Sequence, residues 1–214
     1  MDRIPEPEQL TVHTMSRFSR LSTLAVLGAT SLWLAACSTP PPPRPQYPPI
    51  TFQDQAPIGL DVSDVEVEVA YVAPAVPPNV DHLFPVLLSD AAQQWARDRL
   101  RAGGASFRAR FVVQDASVVE VPLKKSSGLT GLVTKDQAER YDARVAVELL
   151  IYDVQGRQVA SAQGQAVRSR SVREDITLTE RDQVWYDMTK AIMADLDEQL
   201  SMTIKTSLFP YVQQ

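Results

Sequence analysis

The chain has 214 residues, 44% of them hydrophobic and 22% charged, enough to bury one core with segments left over outside it. A net charge of -5 and a pI ≈ 5.1, with arginines scattered among acids, exclude the basic stripe that neutralises nucleic-acid phosphates. The single cysteine excludes an internal disulfide and any Cys-rich zinc spacing.

In chain order, the first stretch is MDRIPEPEQLTVHT, whose Asp2, Glu6 and Glu8 do not suit the positive flank of an export signal. A start at Met15 gives MSRFSR instead, and translation is expected to begin there. Arg17 and Arg20 then precede Leu21–Ala36, which contains no charged residue. That run of 16 residues is short for a hydrocarbon core about 30 Å thick, which needs roughly 20 apolar residues. It reads as the apolar region of a signal peptide spanning residues 1–36 rather than as a permanent span.

The run closes on Leu34, Ala35, Ala36 and Cys37. Over residues 15–38 the chain resembles the bacterial prolipoproteins, whose signal ends in leucine, two small residues and cysteine. The resemblance implies cleavage between Ala36 and Cys37, a diacylglycerol on the Cys37 sulfur and acylation of the new amino terminus. Two or three acyl chains, at about 0.8 kcal/mol per buried methylene, hold far more firmly than one myristoyl chain. Ser38 stands where an aspartate commonly retains such proteins in the inner membrane, so the resemblance further implies transfer to the outer membrane. Residues 37–60 then read as the lipidated cysteine and a tether. Pro40 to Pro43, Pro45, Pro48, Pro49 and Pro57 forbid helix and favour a semi-rigid polyproline spacer.

Residues 61–214 are expected to form a single periplasmic α+β domain. The alternation of Val65, Val67 and Val69 with Glu66 and Glu68 predicts a half-buried strand. Ser89 to Ala102 predicts a helix with Ser89 as N-cap, Trp95 and Leu100 inward and Gly103-Gly104 as the stop. Phe107, Ala109, Phe111 and Val113 alternate with Arg108 and Arg110 in a second strand. Pro122 to Arg140 breaks the pattern and reads as a long loop, with a helical turn over Lys135 to Arg140.

A two-residue turn at Gln155-Gly156 would pair Val147 with Gly164, Leu149 with Ala162 and Ile151 with Ala160. Large residues then face small ones, leaving a trough for a helix. Thr177 to Leu208 supplies it: Trp185, Met188, Ile192, Leu196, Leu200, Ile204 and Leu208 form an apolar band, and Asp182, Asp187, Asp195, Asp197 and Glu198 an acidic outer side. The predicted fold is α+β: a two-layer sandwich of an antiparallel or mixed β-sheet against a short helix and a long C-terminal helix. In layout alone, without a shared motif, this resembles auxiliary lipoproteins of envelope transport and lipopolysaccharide assembly.

Catalytic signatures are missing. His82 is the one histidine after the signal, and there is no G-x-S-x-G elbow, P-loop or G-x-G-x-x-G turn. No metal or cofactor is expected beyond the covalent lipid on Cys37. The candidate anion- or partner-binding residues are Arg168, Arg170 and Arg173, whose planar forks suit phosphate or carboxylate; Glu174, Asp175 and Glu180 stand nearby as alternative partners. The expected function is a non-enzymatic binding or scaffold component of the envelope, anchored in the outer membrane, facing the periplasm, and meeting an envelope protein or a lipid-like ligand. The alternative is an envelope hydrolase using an unrecognised carboxylate pair.

Overall fold

The computed structural model describes residues 46–123 and 137–213. Cys37, Ala36 and the signal lie outside the described residues, as does most of the loop before Arg140.

At the centre is the hairpin of β5 (Gln137–Tyr152) and β6 (Gln158–Arg173). Val147 pairs with Gly164, Leu149 with Ala162 and Ile151 with Ala160, as the large-against-small pattern requires. The turn itself differs from expectation. Asp153 N–H donates to the Arg157 carbonyl at 3.0 Å and Gly156 N–H to the Asp153 carbonyl at 2.9 Å, so three residues, Val154 to Gly156, make the loop. Gly156 takes a left-handed φ of 78°, and a register shift between Ile151 and Tyr152 restores the predicted pairing.

β4 (Arg108–Pro122) pairs antiparallel with the other side of β5, so that Phe111 meets Leu149 and Val118 meets Ala143. One extra residue, Gln114, is accommodated where the register shifts between Val113 and Asp115, which moves Ala116 and Val118 onto the core face. β2 (Val65–Val69) adds to β4 in parallel, which makes the sheet mixed, in the order β2-β4-β5-β6. A parallel neighbour demands a crossover, and helix α1 (Leu88–Arg99) lies on that connection.

Helix α2 (Leu178–Ser207) covers the same sheet face. Its band from Trp185 to Leu208 is buried against Ala162, Gly164 and Ala166, so the expected α+β sandwich with a short and a long helix is the observed architecture. Thr177 caps it: the Thr177 hydroxyl accepts from Glu180 N–H, and the Glu180 carboxylate accepts from Thr177 N–H at 2.9 Å.

Several boundaries differ from the expected ones. Helix α1 starts after Leu87 with no side-chain cap, so Ser89 is not the N-cap. It ends at Arg99, because β3 (Leu100–Ala102) leaves to pair in parallel with β1 (Ile58–Leu60). The stretch from Gln137 to Arg140 is strand, not a helical turn. Ile50, Phe52, Ile58 and Leu60 are buried in the core, so the packed domain begins before residue 61. Asp197 is not on the acidic outer side: it accepts from Trp95 Nε1 at 2.7 Å and from Arg99 Nε at 2.8 Å, joining the two helices.

Candidate functional site

Strand alternation puts residues 164, 166, 168 and 170 of β6 on the face that α2 covers. Gly164 and Ala166 lie beneath the helix, whereas Arg168 and Arg170 emerge where helix and strand separate. A groove of about 260 Å³ opens there. Arg168, Ser169 and Arg170 form its strand wall; Val184, Asp187, Met188 and Ala191 form its helix wall.

The two arginines differ. Arg168 donates through Nε to Asp195 Oδ2 at 2.6 Å and through its terminal nitrogen to Asp195 Oδ1 at 2.8 Å. This two-bond fork is the first cause that holds the Arg168 guanidinium more firmly charged than usual. Arg170 is exposed and has no hydrogen-bond or ion-pair partner among the described residues. Arg173 lies outside the groove and pairs with Asp175 at 3.3 Å on the turn into α2. The structure therefore brings together two of the three candidate arginines, and the acid that neutralises one of them is Asp195 rather than Glu174, Asp175 or Glu180.

Sequence reasoning missed the helix wall. Val184, Met188, Ala191 and Asp195 recur at intervals of four, three and four residues, which is one flank of a helix. That signal was visible, and Arg168 and Arg170 were named from the sequence; what the sequence does not show is that this helix flank and those arginines face each other across a groove.

A larger cavity, about 720 Å³, lies at the other end of the sheet, between Arg108 and Arg110 of β4 and the β5–β6 turn. Arg110 is committed there: it donates to Glu66 at 3.0 Å and lies 5.6 Å over the Tyr152 ring. His82 is an exposed residue of a 3-10 turn, Asp81–Leu83.

Beneath the start of α2, Tyr141 is fully buried and donates to Glu139 at 2.8 Å. Burial first, and then Glu139, raise the Glu120 carboxyl above its ordinary range, while Arg181 acts in the opposite sense. Arg181 itself lies 4.8 Å over the ring of Trp185. Neither glutamate lines the cavities just described. Among the described residues no three His, Cys, Asp or Glu side chains are grouped to hold a metal ion, and no helix is long and apolar enough to cross a membrane.

No protein-family model matches the chain, and no curated protein matches it. Among solved structures it is similar to a minor lipoprotein from Acinetobacter baumannii, at a TM-score of 0.34 and 16% identity over 72% of this chain and 98% of that one. A protein from Caulobacter crescentus gives a TM-score of 0.32 and 15% identity over 66% of this chain and 88% of that one. A Xanthomonas campestris protein gives 0.28 and 13%, over 77% and 94%.

Proposed function

We propose that this chain is a lipoprotein anchored in the outer membrane through acylated Cys37, with its domain facing the periplasm as a non-enzymatic binding or scaffold component of the envelope. The observation that carries the reading is the box Leu34-Ala35-Ala36-Cys37 at the end of an uncharged run preceded by arginines. The prolines between Cys37 and the packed domain suit a spacer. The groove at Arg168 and Arg170 supports the binding role, since it sets Arg170, which has no ion-pair partner among the described residues, across from a helix wall of Val184, Met188 and Ala191 that also carries Asp187. The test is the mass of the mature protein. A chain beginning at Cys37 with a diacylglycerol adduct is expected, and Cys37→Ala should leave the precursor uncut; an unmodified Cys37 or another mature start overturns the anchor.

The rival, an envelope hydrolase, has one observation on its side, the raised Glu120 carboxyl next to Glu139. Labelling of Glu120 by a carboxyl-directed epoxide, abolished in Glu120→Gln, would favour it. Absence of labelling would count against it.

A further inference from the structure

We propose that the stretch Val167 to Ser171 of β6 accepts an extended segment of another envelope protein as a fifth strand, with an acidic side chain of that segment opposite Arg170. The proposal gives the binding role a kind of partner, and it stands or falls apart from the lipid anchor.

β6 is the last strand of its sheet, so only one of its rows of backbone groups is paired with β5. The other row is partly closed: Gln165 N–H points away from β5 and donates to the Gln199 side chain of α2 at 3.0 Å. Antiparallel alternation repeats every two residues, and the pairing from Gln165 to Val172 runs without a shift, so Val167, Ser169 and Ser171 also point outward. No cap like that of Gln199 is present at Val167 or Ser169 among the described residues. Val167 is 64% exposed. A strand laid along this edge would extend the sheet beneath the helix wall of the groove, and its helix-side residues would meet Val184, Met188 and Ala191.

Charge selects the occupant. In an antiparallel pair of two copies whose outward groups face one another, centred anywhere from residue 167 to residue 171, the residue opposite Arg170 is Gly164, Ala166, Arg168, Arg170 or Val172, never a carboxylate. A second copy is therefore disfavoured. Arg168 is already neutralised by Asp195, and Asp187 stands on the far wall, which leaves Arg170 as the position calling for a carboxylate. The fitting segment carries one acidic residue with apolar residues two positions to either side. Its affinity comes from main-chain hydrogen bonds and its specificity from alternate side chains.

The test uses the full-length protein in detergent and a fluorescein-labelled peptide, Thr-Val-Thr-Glu-Thr-Val-Thr. Saturable binding by anisotropy is expected, with slowed hydrogen exchange at Val167, Ser169 and Ser171. N-methylation of the second and third threonines, or Ser169→Pro in the protein, should weaken binding at least tenfold, because each removes a main-chain donor on the pairing edge. Arg170→Gln should weaken it more than Arg168→Gln does, and a lysine in place of the glutamate should weaken it likewise. Absence of binding, equal affinity for the N-methylated peptide, or unchanged exchange on this edge would overturn the proposal. So would protection of the same amides by protein concentration alone, which assigns the edge to a second copy, or by anionic phosphatidylglycerol vesicles, which assigns it to the membrane. Loss of the Cys37 adduct with peptide binding intact would overturn the anchor and leave this edge standing.

Discussion

Gly164 lies where β6 passes under α2, and a Cβ added to it would lie 3.0 Å from Leu200 Cβ and 3.2 Å from Leu196 Cδ1. Leucine there must push the helix from the sheet. Overpacking of this kind costs about 1–3 kcal/mol, so Gly164→Leu should lower Tm by roughly 2–12 °C in a thermal melt; an unchanged Tm would contradict the helix-on-trough packing. This residue was legible in the sequence because matching large residues against small ones places it against Val147, a pairing that holds although the turn is one residue longer than expected, since the register shift between Ile151 and Tyr152 compensates. Asp197 was not. It neighbours Leu196 of the apolar band, and only the position of α1 reveals that it faces Trp95 and Arg99 instead of water. Arg99 is 6% exposed, and its guanidinium also donates to the Ala56 carbonyl and, at 2.9 Å, to Ser201. Removing one partner of such a buried pair costs about 3–5 kcal/mol, which Asp197→Ala should show in urea unfolding. Asp197→Asn, which keeps an acceptor, should lose less.

Helix α2 was readable nearly to the residue, because a long band with 3.6-residue periodicity begins beside two threonines able to cap it, Thr177 or Thr179, and stops before Pro210; the cap in the structure is Thr177. The cap makes its own prediction. Thr177→Ala removes the hydroxyl that accepts from Glu180 N–H, and a loss of about 1 kcal/mol is expected in chemical denaturation. The β5–β6 pairing was equally legible, whereas the ends of α1 and the start of β5 were not. Leu100 to Ala102 becomes strand only because Ile58 to Leu60 is there to pair with it, and that partner lies some 40 residues earlier in the chain. Local propensity carries no information about such a pairing.

For the molecule as a whole, one carboxylate ties the entering chain to the domain. Burial alone would raise the Asp98 carboxyl, but Phe52 N–H at 2.9 Å, the Gln94 and Gln53 amides and Arg101 together hold it below the ordinary range. A lowered folded-state value means that Asp98 stabilises the fold above its unfolded value of about 3.8 and that this contribution is lost as pH falls below it. Glu120 acts with the opposite sign: its raised carboxyl costs stability at neutral pH, and the cost disappears on protonation. Melts between pH 3 and pH 7 should therefore show a shallower acid loss in Asp98→Asn, and a higher neutral Tm in Glu120→Gln, than in the wild type. The parallel placement of β2 beside β4 and the early start of the packed chain are the whole-molecule features that the sequence left open. Both depend on contacts between segments far apart, where proline content and strand alternation say only that a spacer precedes a strand.

The closure of the domain around β1 has a mechanical consequence. Leu60 bridges to Val212, Gln213 N–H donates to the Gly59 carbonyl at 2.9 Å, and Asp61 N–H donates to the Tyr211 carbonyl at 2.8 Å, so the last residues of the chain clamp the first strand against β3. With the chain held at Cys37 as proposed, any drag on the domain is delivered through residues 50–60. The Phe52 bond to Asp98 and the ladders on both sides of β1 then share that load, and hydrogen bonds lying across a strand pulled along its length must yield together rather than one after another. Trimming the final three residues should lower the force at which the tether strips β1 away in single-molecule pulling, long before it alters the sheet of β4, β5 and β6.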